Sequence, residues 1–202
     1  MSQTEPEHII RHRKPLAALM SPMRQEVVDL LSQMGTVSVS ELAAALNRPP
    51  DALYYHLRVL KEAGLIVEEG YRQNGKRQEV LIRTVSPNLK LQYILGDAGN
   101  FDSISAIVGA MLRLGIRDFN HAFQSGEAVV EGGARNLWAA RRIAWLSDED
   151  LEAVNRALEA LAAIFSRRSA PGEAPDGRLC ALTLLLTPLT NRTGDHDPAE
   201  DD

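Results

Sequence analysis

Apolar positions recur every three or four residues along 16–34, which is the spacing of one face of a helix. The pattern predicts a first helix there, with Pro22 bending or restarting it and Gly35 ending it. A shorter helix is expected in SVSELAAALN, where Ser40 can cap the first turn and Asn47 tolerates the left-handed backbone of a tight turn. The chain therefore opens with two helices in close succession.

A third helix is predicted within RPPDALYYHLRVLKEAGLI, residues 48–66. Leu53, Leu57 and Leu60 fall within about 60° of one another at about 100° per residue, so they form its buried stripe. The opposite face carries tyrosines and an arginine where surface helices usually carry Lys, Glu or Gln. Gly64 is expected to end the helix.

A β-hairpin is predicted in LIVEEGYRQNGKRQEVLIRTV, where two β-rich runs flank Gln73-Asn74-Gly75-Lys76. Asn-Gly between such runs is the strongest short hairpin signal. Three helices and a hairpin with a basic tip predict a winged helix-turn-helix over residues 15–88, with the hairpin as the wing.

In this fold the N-terminal half of the third helix enters the DNA major groove. Tyrosine and arginine can donate to phosphates or base edges, and arginine is the best reader of guanine. The alternatives are chance surface aromatics, a salt bridge between Arg58 and Glu62, and a solvated hairpin tip. The candidate DNA contacts are Ser40, Arg48, Asp51, Ala52, Tyr54, Tyr55, Arg58, Arg72, Lys76 and Arg77.

The stretches SPMRQEVVDLL, SVSELAAAL, YYHLRVLKEAGLIVEE and RTVSP give the chain a family resemblance. Over roughly residues 16–85 it resembles the ArsR-type family of bacterial winged-helix regulators. The resemblance implies binding to double-stranded DNA, regulation of transcription and a homodimer.

Two features depart from that family. The third helix begins with Pro49-Pro50-Asp51 where family members usually have Ser or Thr; Asp51 would repel a phosphate, but it could accept from a cytosine amino group or cap the helix. The cysteine pair of the metal-sensing members is missing. No second ligand accompanies His56 at metal-ligand spacing, so a structural histidine bound to backbone or phosphate is favoured over a metal ligand. We expect no metal site.

The second half, residues 89–190, is expected to be a helix-rich α-β-α-β domain for dimerisation, with room for an effector, which makes the fold class α+β. A helix over about 101–123 is apolar on more than one side, so it should meet both the winged helix and a second subunit. The candidate dimerisation residues are Ile104, Ile107, Val108, Met111, Leu112 and Leu114.

Residues 137–146 read as a strand, although a helix fits their composition nearly as well. SDED at 147–150 resembles a capping box and predicts a helix to about Arg167. LCALTLLLTP is expected to be a buried strand with Cys180 as an inert core residue, and Trp138 and Trp145 could be core, interface or the lining of a ligand pocket. The positions expected to be buried on this helix are Leu151, Val154, Leu158, Leu161, Ala162 and Phe165.

Charge is unevenly distributed along the 202 residues, whose net charge is -5. Residues 1–88 hold 11 Lys or Arg and 10 Asp or Glu, a net of +1; residues 89–202 hold 11 and 17, a net of -6. Residues 1–14 read as a flexible arm and 191–202 as a disordered acidic tail. The absence of a signal peptide or a membrane span, together with a single cysteine, predicts a reducing cytoplasm.

No catalytic constellation or cofactor motif is present, so we expect no enzymatic activity and no cofactor. One hypothesis is a homodimeric, sequence-specific DNA-binding regulator, more a repressor than an activator, with room for a small-molecule effector. The alternative is a winged helix that binds protein, joined to a ligand-binding C-terminal domain. The basic hairpin tip favours the first hypothesis, whereas the net charge and Asp51 slightly favour the second.

Overall fold

The computed structural model describes residues 7–75, 77–166 and 177–189. The predicted acidic tail and Lys76 lie outside the described residues, as does the side chain of Arg77. None of the described helices is long and apolar enough to cross a membrane. The elements in chain order are β1 (Glu7–Ile10), α1 (Arg13–Leu19), α2 (Pro22–Met34), β2 (Val37–Ser38), α3 (Val39–Ala45), a 3-10 turn (Pro50–Ala52), α4 (Tyr54–Glu62), β3 (Ile66–Asn74), β4 (Arg77–Thr84), β5 (Asn88–Leu91), α5 (Ala98–Ser125) and α6 (Asp148–Phe165).

The first half is a winged helix-turn-helix, as predicted. Helix α2 packs against both α3 and α4, and β2, β4 and β3 form an antiparallel sheet in that order. β3 and β4 form a hairpin whose last paired residues are Asn74 and Arg77. The side chains at the centre of the core have no exposed surface and come from every helix of the motif; they are Val27, Leu31, Leu42, Leu53, Leu60 and Leu65.

The predicted first helix is two helices, because Pro22 starts a new one directly after Ser21. Gly35 follows α2 with a φ of 73°, which confirms it as the residue that ends the helix. Asn47 has a φ of 50°, which confirms the left-handed turn between α3 and the next helical segment.

The predicted cap of α3 is wrong by two residues. Ser38, not Ser40, accepts a hydrogen bond from the Glu41 backbone N–H at 3.2 Å, and the Glu41 carboxylate accepts from the Ser38 N–H at 2.8 Å. The helix starts early because β2 leads straight into it, so the last strand residue becomes the cap. Ser40 lies inside α3 with its side chain exposed.

The flexible arm predicted at the N-terminus is wrong for residues 7–14. β1 pairs in parallel with β5, in the register Glu7 with Asn88 and Ile10 with Leu91. Ile10 is 2% exposed and belongs to the main core. β5 itself lies in a stretch that we expected to be only a connector, and α1 begins at Arg13. Strand pairing therefore spans the domain boundary predicted at residue 88.

Helix α5 packs across α1 and α2, which confirms the predicted contact with the winged helix. The Gln25 amide donates to the carbonyl of Ile107 at 2.9 Å and to that of Leu19 at 2.7 Å, so it joins three helices at a buried point. Further along, the Arg117 guanidinium donates to the Glu26 carboxylate at 2.7 and 2.9 Å.

The rest of the second half, residues 127–189, is called here the C-terminal arm. The capping box predicted at Ser147 and Asp150 is confirmed, and it opens α6. The predicted strand at 179–188 is wrong, and 137–146 forms neither the strand nor the helix that its sequence allowed, because neither segment has helix or strand structure among the described residues. The α-β-α-β order is therefore not observed in the described chain.

The predicted burial of the arm is also wrong. No residue of α6 is buried: Val154 and Leu158 are half-buried and the other four predicted positions are exposed. Cys180 is exposed rather than a core residue. Apolar patterning says which side of an element avoids water, but burial requires an opposing surface. The large apolar side chains that the arm exposes are Val130, Trp138, Ile143, Trp145, Leu146, Leu151, Leu161, Ile164, Phe165, Leu179, Leu182, Leu184, Leu185, Leu186 and Leu189.

Candidate nucleic-acid interface

Helix α4 presents a rigid outer face because its inner face is fully engaged. Leu53 and Leu60 have no exposed surface and Leu57 is 7% exposed, as predicted for the buried stripe. On the opposite side Tyr54 and Tyr55 are each 57% exposed. Two exposed tyrosines on a well-anchored helix place apolar rings with polar tips at the surface without cost to the core.

Arg58 lies over the face of Tyr55, with its guanidinium carbon 5.7 Å from the ring centroid. In the described part of the chain it forms no ion pair with Glu62, so the predicted salt-bridge alternative is not observed. The Tyr55 ring also meets the His56 ring edge to face at 5.4 Å between centroids. The stack orients the guanidinium and leaves its hydrogen-bond donors free of carboxylates.

The turn before α4 carries the next three candidates. Arg48, Asp51 and Ala52 are all exposed, and the last two lie in the 3-10 turn that leads into the helix. The Arg48 backbone N–H donates to the carbonyl of Ala43 at 2.9 Å, which fixes the turn against α3. Arg48, Asp51 and the outer face of α4 are thus exposed on one continuous segment of chain.

The wing is tied to the helices through Arg72. Its guanidinium lies 2.8 Å from the Glu41 carboxylate and 3.5 Å from that of Glu79. The Glu41 hydrogen bond, more than any other contact, raises the pKa of Arg72 further above its usual range. The sequence analysis did not identify this contact between Glu41 and Arg72. The same carboxylate also accepts the capping hydrogen bond from the Ser38 N–H.

His56 lies beside two arginines. Burial first, and then the positive charges of Arg24 and Arg48, lower the pKa of His56 below its ordinary value. Its Nδ1 atom is buried and has no hydrogen-bond partner among the described residues, so the expected backbone bond is not observed. Arg24 itself donates to the carbonyl of Ala18. Around His56, in the first turn of α4, the positive charges of Arg24 and Arg48 therefore favour a neutral imidazole.

The predicted dimerisation residues divide between two environments. Ile107 and Leu114 are 5% and 9% exposed because their own chain covers them, so they offer little surface to a second subunit. Ile104 packs partly against the same core. Val108 and Met111 are half-buried, and Leu112 is 39% exposed. The apolar side chains of α5 that are most open to a partner are Phe101, Ile116 and Phe123.

No group of three or more His, Cys, Asp or Glu side chains that could hold a metal ion occurs in the described parts of the chain. The exposed groups around α4 are hydrogen-bond donors, aromatic rings and the carboxylates of Asp51 and Glu62. Such groups fit recognition of a polar, negatively charged surface by contact.

Comparison with known proteins agrees with this geometry. Residues 19–69 match the helix-turn-helix domain family HTH_20. No curated protein matches the chain. A solved structure of a Lactococcus lactis ZitR mutant in its apo form is similar over 74% of this chain and 86% of that chain. The identity is 14% and the TM-score is 0.30. The helix-turn-helix match implies that this part of the protein binds DNA.

Proposed function

We propose that the protein is a homodimeric transcription regulator that binds double-stranded DNA sequence-specifically and represses transcription. The observation that carries the proposal is the exposed face of α4 in a helix-turn-helix domain, where Tyr54, Tyr55 and Arg58 form no ion pair or hydrogen bond with a carboxylate of the described residues. This face enters the major groove, where base edges carry a readable donor and acceptor pattern.

Arg58 reads a base, most favourably the O6 and N7 acceptors of a guanine. Its stacking on Tyr55 restricts the guanidinium before DNA arrives, so less conformational entropy is lost on binding. Asp51 accepts from a cytosine amino group near the same edge of the helix, since its carboxylate would repel a phosphate. Arg48, Tyr54 and Ala52 complete the groove contacts.

Phosphates on either side are contacted by Ser40 from α3 and by Arg72, Lys76 and Arg77 from the wing. Arg72 already binds Glu41 and Glu79, so it contributes less free charge to the phosphates than the other two. Its main effect is to hold the wing in place beside the helices.

The test begins with DNA fragments selected from the genome of origin by binding to the full chain. Arg58→Ala should weaken binding to a selected site by about 1–3 kcal/mol and relax the sequence preference at one position. Arg113→Ala, which removes an exposed arginine from α5, is the matched control and should leave affinity unchanged. Equal affinity of Arg58→Ala and the unmodified chain would show that the proposed docking is wrong.

Repression is tested separately, by placing a selected site between a promoter and a reporter gene. Expression should fall when the protein is present and recover with Arg58→Ala. If no DNA is retained even at low salt, the alternative of a winged helix that binds protein gains support.

A further inference from the structure

We propose that a second copy of the chain covers the C-terminal arm and supplies the strand partners that 137–146 and 179–186 lack. The inference deepens the proposed function, since it rests on the homodimer and locates most of its interface in the arm rather than in α5 alone.

The first observation is the state of the two segments. The sequence predicts a strand at 179–188 and either a strand or a helix at 137–146, yet within the described residues the sheets contain only β1 with β5 and β2 with β4 and β3. No backbone–backbone hydrogen bond outside regular elements involves residues 137–146 or 178–189 of the described chain. Strand-forming sequence with open N–H and C=O groups is a template for pairing with another chain.

The second observation is the exposed apolar surface. Trp145 is fully exposed, Trp138 and Ile143 are 67% and 65% exposed, and Leu185 is 58% exposed. At about 150–250 Å² for an aromatic side chain and somewhat less for an aliphatic one, the exposed apolar side chains of the arm sum to on the order of 1,000 Å². Monomeric proteins rarely expose apolar patches above a few hundred Å². A standard interface covers about 800 Å² per partner, so the arm provides what a stable dimer needs.

Charge identifies the partner as another copy. Arg141 and Arg142 precede α6, whose first turn begins with Asp148 and Glu149. Within the described chain these four side chains form no ion pair, since the α6 pair within 4.0 Å joins Arg156 to Glu152. A basic stretch followed by an acidic one is self-complementary when two copies meet about a two-fold axis.

The arm also has a defined position on its own chain. The Gln33 amide donates to the carbonyl of Phe165 at 2.7 Å, which links the end of α6 to α2. Thr183 lies so close to α5 that a β-carbon at Gly115 would stand 3.1 Å from its hydroxyl oxygen. The segment 179–186 is therefore held beside the exposed part of α5, and one partner can cover both.

Sedimentation of the full chain is the first experiment. The unmodified protein should be a dimer at micromolar concentration, and Ile143→Glu and Leu185→Glu should each raise the dimer dissociation constant about tenfold or more. Both positions are exposed in the single chain, so a charge there does not disrupt its own fold. Tyr71→Glu, at a wing residue that is 64% exposed, is the matched control and should remain dimeric. A dimer that persists in both arm variants would overturn the proposal.

Backbone hydrogen exchange then tests strand pairing itself. Amides of 137–146 and 179–186 should be protected in the dimer and exchange fast in Ile143→Glu, while β3 and β4 stay protected in both. Fast exchange of these amides in the dimer, or equal protection in the monomer, would overturn the proposal.

Gel shifts on the same samples separate this inference from the proposed function. A monomer that still binds selected DNA would refute the dimer through the arm but keep DNA binding. A dimer with protected arm amides that binds no DNA would support the arm pairing and refute the regulator.

Discussion

The winged helix and the C-terminal arm have comparable apolar patterns, but the winged helix buries its apolar side chains and the described part of the arm exposes them. Leu60 lies on the apolar face of α4 and has no exposed surface. Leu161 lies on the apolar face of α6 and is 39% exposed. Both helices have an apolar face. α6 begins where its capping box predicts, whereas α4 begins at Tyr54, after a 3-10 turn in place of the predicted first helical turn. The difference lies in what packs against each helix: α1, α2 and β3 pack against α4, while the described chain leaves no residue of α6 buried.

This contrast separates two kinds of stability. The winged helix buries its core because its helices, its sheet and α5 pack against one another within the same chain. In residues 127–166 and 177–189 the arm has one helix and two segments without strand partners, which is too little to enclose a core. Its stability must therefore depend on another surface, and it should respond to protein concentration where the winged helix does not.

The largest effect should come from the core of the first region. Leu60→Ala should lower the free energy of unfolding by about 2–5 kcal/mol, because it removes buried methyl groups and leaves a cavity. Leu161→Ala, measured at a concentration where the chain is monomeric, should change it by less than about 0.5 kcal/mol. Chemical denaturation followed by circular dichroism measures both. Similar losses from the two variants would show that the arm has a core of its own.

A second effect should distinguish the charges of the two regions. Replacing Lys76 and Arg77 with alanine should weaken binding to all DNA sequences alike and flatten the slope of log affinity against log salt by about two. Replacing Arg113 and Arg156 in the acidic half should leave that slope unchanged. Titrations of labelled DNA at several salt concentrations give the slope, and an unchanged slope in the wing variant would place the wing away from the phosphates.

The smallest effect should come from His56 at the base of α4. Its pKa is lowered in the folded chain by burial and by Arg24 and Arg48, so on acidification the unfolded chain takes up the proton first. The stability that the neutral imidazole contributes is therefore present above about pH 6.5 and is lost as the pH falls through the lowered pKa. Denaturation of the unmodified chain and of His56→Gln between pH 8 and pH 5 should show this loss as a difference between the two, because the pH dependence from other groups, such as Asp29, whose pKa is raised to about 6 by desolvation, is common to both.

The exposed His121 of α5 is the matched control for that series. If His121→Gln reduces the loss as much as His56→Gln does, the charge cluster at the base of α4 is not its cause.

The sequence by itself determined the elements whose signals are local. Helical spacing, Gly35, Asn47 and the turn before Arg77 specify α2 to α4 and the hairpin, because each depends on neighbours along the chain. The exposed face of α4 followed from the same spacing, so the candidate DNA contacts on it were predictable.

The tertiary structure decided everything that depends on a distant partner. Ile10 is part of the core because β1 pairs with β5. Its partner Leu91 lies 81 positions further along the chain, so no local pattern predicts the pairing. Ser38 rather than Ser40 became the cap because β2 enters α3 directly, and Arg72 was drawn to Glu41 because the wing folds back on α3. The periodicity of α6 predicts which side of the helix is apolar, but it does not predict that this side is exposed. Periodicity gives the direction of a face, and only packing supplies a surface that covers it.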